Sequence, residues 1–541
     1  MMKMGFRLAL VTSLLLGLGM QAVPAQASPA PEVIYRVQLA SPDSAGIQVE
    51  TDIPATQGVP LHLGALQDYA GGRVSGLASH YTLTGAHDGT GQSLQVSGDP
   101  GDWTVSAPGD GQVTVSYLVN LNGYQAEPAF ADAASGGAPW PYFPISSEGF
   151  LYLPGYSVFL YPDSLRDTGT ARIYLQLPDG WTSAAPLESA DGAFVASWQE
   201  MTGNLFLGGT GDLFLKLGGA AGKDLTLALA PGAGPTNVKS RDESFGRLSA
   251  MAEQAAGILN QQGGSGKFLL LYAFGNEGQA GGLPPYEEVA SFGSSATIAL
   301  PADSNILSLD STEFMARAAF RFLAGRALDG QPVPQWFRDG TAGYYQLALP
   351  FQAGLISGND FWDRFDLIYT DYQVNPESQS LALDAATSRL PDPAAGRFIE
   401  EKGAVLAASI DQRIRDVTGN RYSLDDLVKR LSGTDGYNPG TPDEAGLQAN
   451  LESLTGVSWK DFFEQNVKGT ALIKASSFSN LKSLSQQSNN PAGQPVQSGP
   501  AKSWSWVFVV LATLLIFAIP VLLEPYTLKP RKRPPAPESD S

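Results

Sequence analysis

The 541-residue chain has no cysteine and three histidines, His62, His80 and His87, all within its first sixth. Without cysteine there is no disulfide, thiolate nucleophile, iron–sulfur cluster or cysteine zinc site, so a bound metal would need imidazole or carboxylate ligands. Beyond residue 87 there is no imidazole at all. Positive charge is also scarce: 34 Lys+Arg against 53 Asp+Glu, a net charge of −19. Affinity for phosphate backbones needs clustered Lys and Arg to release counterions, which removes nucleic acid from the candidate partners. There is no G-x-S-x-G elbow and no dinucleotide fingerprint, and Gly263-Gly264-Ser265-Gly266-Lys267 lacks the P-loop frame. The acidic stretch 434–444 lacks the spacing of a calcium loop, and no repeat of solenoid or propeller period is present.

What is there begins with the two ends. Lys3 and Arg7 precede an apolar run over 8–20, and Ala25-Gln26-Ala27 supplies the small-x-small pattern of a cleavage site. The segment 1–27 therefore reads as a secretory signal peptide. Residues 504–523 are uncharged and mostly apolar, about 30 Å as a helix, with Trp504 and Trp506 at one end and Tyr526 beyond the other. Lys529, Arg531, Lys532 and Arg533 follow this stretch and only Lys502 closely precedes it. The reading is a single transmembrane helix in a cell membrane, with an extracytoplasmic ectodomain and a cytoplasmic tail at 524–541. Residues 471–503 are rich in Ser, Gln, Asn, Pro and Gly and read as a flexible stalk.

The ectodomain has two periodicities. Apolar residues alternate in Val33, Tyr35, Val37 and Leu39, in Val113, Val115, Tyr117 and Val119, in Ile173, Leu175 and Leu177, and in Leu213, Leu215 and Leu217. With glycine and proline between the runs, 28–235 is expected to be an antiparallel, sandwich-like β domain. The spacing turns helical over 245–259, 312–328, 398–417 and 424–431, interrupted by one strand-like apolar run at 268–274. The fold class expected is α+β multidomain, the second domain spanning 236–470. Met315, Ala318, Ala319, Phe322 and Leu323 fall at helical spacing and read as core. The three histidines fall among strands and turns and read as ordinary surface or satisfied side chains.

Several segments of the second half carry a resemblance. Residues 334–345, PQWFRDGTAGYY, resemble W-x-x-E-G-x-A-x-Y-Y of the gluzincin metallopeptidases, the thermolysin and aminopeptidase N clan. Glu401-Lys402-Gly403-Ala404, then Asp411, Ile414 and Arg415, then Thr418-Gly419 and Ser423-Leu424-Asp425-Asp426, are similar to Y-E-K-G-A, L-D-x-x-I-R, T-G and S-L-D-D of the glycyl aminopeptidase family. Thr455-Gly456 and the stretch from Phe462-Phe463 to Val467-Lys468-Gly469-Thr470 resemble that family's closing segments, and Leu177-Pro178-Asp179-Gly180-Trp181 its L-P-x-G-W turn. The resemblance implies a thermolysin-like helical domain behind an N-terminal β domain. It also implies two zinc-binding histidines and a glutamate base on one helix, a third carboxylate ligand further on, and a transition-state tyrosine.

The chain departs from that pattern at each of these positions. With the 18-residue spacing of aminopeptidase N, Ala316 and Phe320 stand where the two histidines belong and Arg317 where the base belongs. Another register puts Glu313 at the base position, again with neither histidine. Asp339 stands for the ligand glutamate, Glu400 for the tyrosine, and the substrate-gripping strand would fall at 281–285, also changed. The expected function is a membrane-anchored pseudopeptidase with no metal or other cofactor, whose partner beyond the membrane is a peptide or an envelope protein. A hydrolase using Glu313, Asp339 and Glu400 as carboxylates is the alternative, and a purely structural envelope module a third reading. A carboxylate left without its metal needs another cation. Arg317 is therefore expected to pair with Asp339, and with Glu400 as well, while Phe320 fills the space of the lost imidazole.

Overall fold

The computed structural model describes residues 32–482, apart from 66–76, 122–142, 221–222, 260–265, 276–287, 329–332, 390–391, 433–441 and the single positions 108, 148, 231, 233, 302 and 480. The expected signal peptide, the membrane span at 504–523, the tail and the altered segment 281–285 lie outside the described residues. Among those described, no helix is long and apolar enough to cross a membrane.

The first half is β, as its alternation predicts. In the strand Glu32–Gln38, Val33, Tyr35 and Val37 are buried, while the residues between them are not. A seven-stranded sheet runs, in spatial order, through Glu188–Ala190, Ala193–Ser197, Thr170–Gln176, Glu32–Gln38, Gly46–Ala55, Gly111–Asn120 and Tyr81–Asp88. Its neighbours are antiparallel except for Glu32–Gln38 beside Thr170–Gln176, which run parallel with Tyr35 opposite Ile173. Two four-stranded sheets share its apolar core. Buried phenols tie that core to the 155–160 segment: Tyr35 donates to the Leu160 carbonyl at 2.7 Å and Tyr117 to the Val158 carbonyl at 3.2 Å. His80 is buried, and His62 sits exposed between Asp102 and Asp163, 2.8 Å from each.

A five-stranded sheet opens the second half, in the order Phe214–Ala220, Lys223–Leu229, Lys267–Gly275, Ser295–Pro301 and Glu288–Phe292. This sheet spans the boundary expected at 235. The hairpin 214–229 alternates like the first domain, but it hydrogen-bonds in parallel to Lys267–Gly275. Period 2 identifies a strand and says nothing about which sheet it joins. The run 268–274 does not alternate because both faces of its strand are buried. Phe268, Leu270, Tyr272 and Phe274 enter the helical core, whereas Leu269, Leu271 and Ala273 enter the β core.

The helices that position the site are α1 (Pro235–Ile258), α2 (Leu309–Leu328), α3 (Gln335–Gln352), α4 (Gly358–Val374), α5 (Pro393–Thr418), α6 (Leu424–Leu431) and α7 (Glu444–Thr455). Their ends use ordinary cap chemistry. Ser423 and Asp426 form a capping box on α6, and Gly419 and Gly456 close α5 and α7 at φ 61° and 75°, in the left-handed region glycine tolerates. The first part of the stretch 471–503, expected as a stalk, is packed on the fold. Ile473, Phe478 and Leu481 are buried, the Tyr369 hydroxyl donates to the Ile473 carbonyl at 2.9 Å, and the Leu481 amide donates to Gln412 at 2.7 Å. Three apolar side chains in a polar stretch are enough to dock it on α4 and α5.

Candidate functional site

The site is built where α3 and α5 cross. A Cβ added to Gly340 would lie 2.3 Å from the carbonyl carbon of Gly403, and one added to Gly403 would lie 2.8 Å from the Gly340 Cα. Backbone therefore touches backbone at this point. Asp339 is the residue before Gly340, and Glu400 lies one helical turn before Gly403, so the crossing carries both carboxylates to the same flank of α2. Arg317 and Arg321, one turn apart on α2, meet them. Arg317 Nη2 is 2.6 Å from Glu400 Oε1, and Arg321 Nη2 is 3.3 Å from Asp339 Oδ1 and 3.7 Å from the same Glu400 oxygen. Gln335 donates to the other Asp339 oxygen at 2.7 Å. Among the described residues two guanidiniums and two carboxylates meet here, and all four side chains are largely but not fully shielded, at 13% exposed for Arg317, 22% for Arg321, 18% for Asp339 and 32% for Glu400.

Of the two partners expected for Arg317, Glu400 is met, whereas Asp339 is paired with Arg321 instead. The connection from α2 to α3 is short, so the two helices fold back on each other and late residues of α2 face early residues of α3. Asp339 is an early residue of α3, and its counterpart is Arg321, one turn beyond Arg317. Arg321 and Gln335 were absent from the sequence-derived set. The signal available was the i, i+4 repeat of arginine on one helix face.

Ala316 and Phe320 face the helical core, both buried, with the Phe320 ring stacked on Tyr345 at a centroid distance of 4.2 Å and an interplanar angle of 18°. Glu313, the base position of the other register, is not brought to Asp339. It is buried in an ion pair with Arg364 of α4, 2.5 Å from Nε, and that guanidinium also reaches Asp310. Burial pushes the Glu313 carboxyl up to about 7 in spite of the guanidinium beside it.

Behind the site lies a buried polar layer that the sequence reading did not assign. Tyr344 donates to Asp411 at 2.9 Å, Arg415 Nε reaches the same carboxylate at 3.1 Å, and the Leu424 amide caps it at 2.7 Å. Tyr345 donates to Asp425 at 2.6 Å. Burial, reinforced by the charge of Asp411, pushes Asp425 up to about 6. These bonds tie α3, α5 and α6 into one block and hold the Tyr345 ring against Phe320.

The donor set does not fit a zinc ion. A methyl and a phenyl group stand at the two positions that the resemblance gives to imidazoles, and the carboxylate at the position it gives to the third ligand is bonded to Arg321 and Gln335. Two guanidiniums on the same flank would oppose a divalent cation. Among the described residues, no group of three His, Asp or Glu side chains is arranged to hold a metal.

Residues 34–200 match the Peptidase M61 N-terminal domain. Among solved structures, the aminopeptidase N family protein of Idiomarina loihiensis superposes with a TM-score of 0.64 at 15% identity, over 83% of this chain and 78% of that one. The fold is similar to that of this aminopeptidase N family protein. The M1 zinc metallopeptidase of Deinococcus radiodurans is similar with a TM-score of 0.50 at 13% identity, over 82% of this chain and 95% of that one. A variant of it bound to the substrate Tyr-Ser-Ala gives a TM-score of 0.51 at 13% identity, with the same coverage. No curated protein matches the chain in sequence. An M61-type N-terminal domain followed by an aminopeptidase-like body is consistent with the gluzincin-like family that the motifs of α3 and α5 resemble.

Proposed function

We propose that this chain is a peptidase-fold protein without peptidase chemistry, held to a membrane by the 504–523 segment with its folded part outside the cytoplasm, and that it binds a peptide or an envelope protein. The observation that carries the reading is the ion-pair cluster in which Arg317, Arg321, Asp339 and Glu400 meet. At the positions the gluzincin resemblance gives to a base, a ligand carboxylate and a phenol stand three members of an ion-pair cluster. Such a cluster activates no water, because its carboxylates are paired and no imidazole is present to take a proton. The hydrolase alternative needs Glu313, Asp339 and Glu400 to converge, yet Glu313 is engaged by Arg364 and the other two by Arg317 and Arg321. A peptide is the ligand class to try first, since the similarly folded Deinococcus radiodurans variant was crystallised with Tyr-Ser-Ala.

The test is elemental analysis and a peptidase assay on the full chain purified in detergent, before and after zinc reconstitution. Well under one zinc per chain and no chelator-sensitive cleavage are expected. Stoichiometric zinc together with cleavage abolished by chelator would overturn the proposal. Membrane-impermeant biotinylation of intact cells should label lysines of the folded part, and labelling only after lysis would overturn the topology.

A further inference from the structure

We infer that Arg317 and Arg321 form a clamp for the free C-terminal carboxylate of a peptide, and that Glu400 is a built-in occupant which such a carboxylate displaces. This inference rests on the binding role proposed above and names the chemistry of its ligand.

The first observation is that one oxygen, Glu400 Oε1, lies between the two guanidiniums, 2.6 Å from Arg317 Nη2 and 3.7 Å from Arg321 Nη2. The molecule thus shows a carboxylate oxygen held by two arginines from one helix face, the arrangement that suits planar anion recognition. Two guanidiniums one turn apart repel each other, and an anion between them offsets that repulsion.

The second observation separates the two acids. Asp339 is held from both sides, by Arg321 at 3.3 Å and by Gln335 at 2.7 Å, and is 18% exposed. Glu400 is the most exposed member of the cluster at 32%, and it stands on a longer side chain than Asp339. Exchange is cheapest at Glu400. Rotating it into solvent removes the oxygen that lies between the two guanidiniums, and the carboxylate of an incoming ligand takes its place. A ligand ammonium has no equivalent place, because both carboxylates already face guanidinium donors.

The third observation is the rigidity of the frame. The Gly340–Gly403 contact fixes α3 against α5, and the Phe320–Tyr345 stack fixes α2 against α3, so the arginines and the Glu400 backbone keep their spacing when the side chain leaves. Pre-placed donors reduce the ordering cost of binding.

The experiment uses the full chain in detergent and N-acetyl-tetraalanine, with either a free C-terminal carboxylate or a C-terminal amide, followed by titration calorimetry or ligand-observed NMR. The acid should bind and the amide should not. Glu400→Gln, which removes the internal competitor, should tighten the acid by about tenfold, since a tethered competitor acts at an effective concentration of millimolar order. Arg321→Gln should lose the acid. Thermal melts of both variants report whether each is folded, and the acid-against-amide comparison on the unaltered chain needs neither. Equal binding of acid and amide overturns the clamp while leaving the broader binding role intact. Failure of the acid to bind folded Glu400→Gln overturns it as well. Inorganic phosphate or acetate competing at the same concentration as the peptide acid would assign the site to small anions and overturn the peptide. Zinc-dependent hydrolysis of the probe would instead overturn the reading on which the inference stands.

Discussion

Replacing Gly340 by alanine tests whether the α3–α5 crossing sets the site. The new Cβ would be 2.3 Å from the Gly403 carbonyl carbon and 2.5 Å from its Cα and O, where 3.4 Å is the lower edge of ordinary contact. The shortfall is about 1 Å, and it is backbone against backbone, so no rotamer change relieves it. Forcing the helices apart by that amount belongs at the upper end of overpacking costs, about 3 kcal/mol, against which alanine recovers about 1 kcal/mol of helix propensity. The net expectation is a loss of about 2 kcal/mol, with Asp339 and Glu400 moved relative to α2. Two glycines provide the scale. At Gly343 the nearest atom is the Ala404 Cβ at 3.1 Å, and at Gly246 on α1 nothing lies within 4 Å. Gly246→Ala should therefore stabilise by about 0.5–1 kcal/mol and Gly343→Ala should fall close to zero. Chemical denaturation of the full chain in detergent, followed by circular dichroism, should rank the midpoints as Gly246→Ala, then unaltered chain and Gly343→Ala, then Gly340→Ala. A Gly340→Ala midpoint at or above that of the unaltered chain, with Gly246→Ala raised as expected, would refute the argument that this contact positions the carboxylates.

Phe320→Ala should cost about 3–5 kcal/mol, because it opens a cavity in the helical core and removes the stack on Tyr345; a loss below about 1 kcal/mol in the same denaturation assay would mean the ring is not packed. Lys402 is buried, donates to the Gly469 carbonyl at 3.1 Å, and is pushed down by burial from 10.5 to about 8. Between those two values the unfolded chain holds a proton that the native chain has released, so stability on account of this group rises with pH across that window, by roughly 3 kcal/mol in all. Lys402→Met should abolish the rise, and an unchanged pH profile in the variant would refute the assignment. A chain ended after residue 470 should melt below one ended after residue 485, since only the longer retains Ile473, Phe478 and Leu481; equal melting temperatures would return the whole stretch from 471 to the linker.

Much of the architecture was determined by the sequence alone, because it follows from local periodicity and local chemistry. Alternation identified Val33, Tyr35 and Val37 as one buried face, helical spacing identified Met315, Ala319 and Leu323 as core, and both are buried. The resembling segments prove largely structural when seen in place. Thr418-Gly419 and Thr455-Gly456 are helix C-caps, Ser423 to Asp426 is a capping box, and the glycines of Asp339-Gly340 and Lys402-Gly403 allow two helices to touch. The absence of histidine beyond residue 87 is likewise a property of the sequence and holds for any fold.

What only the tertiary structure decided is which side chain meets which. Alternation could not tell that the hairpin 214–229 pairs with the strand beyond α1, nor composition that 472–482 docks on α4 and α5, because both depend on contacts between distant segments. At the site, the sequence supplied a cation for Asp339 and named Arg317. The structure gave Arg317 to Glu400 and Asp339 to Arg321, a shift of one helical turn. Helical spacing places both arginines on one face, but their partners depend on where along α2 the crossing of α3 and α5 delivers its carboxylates. That is set by the backbone contact of Gly340 with Gly403, two residues no local pattern connects.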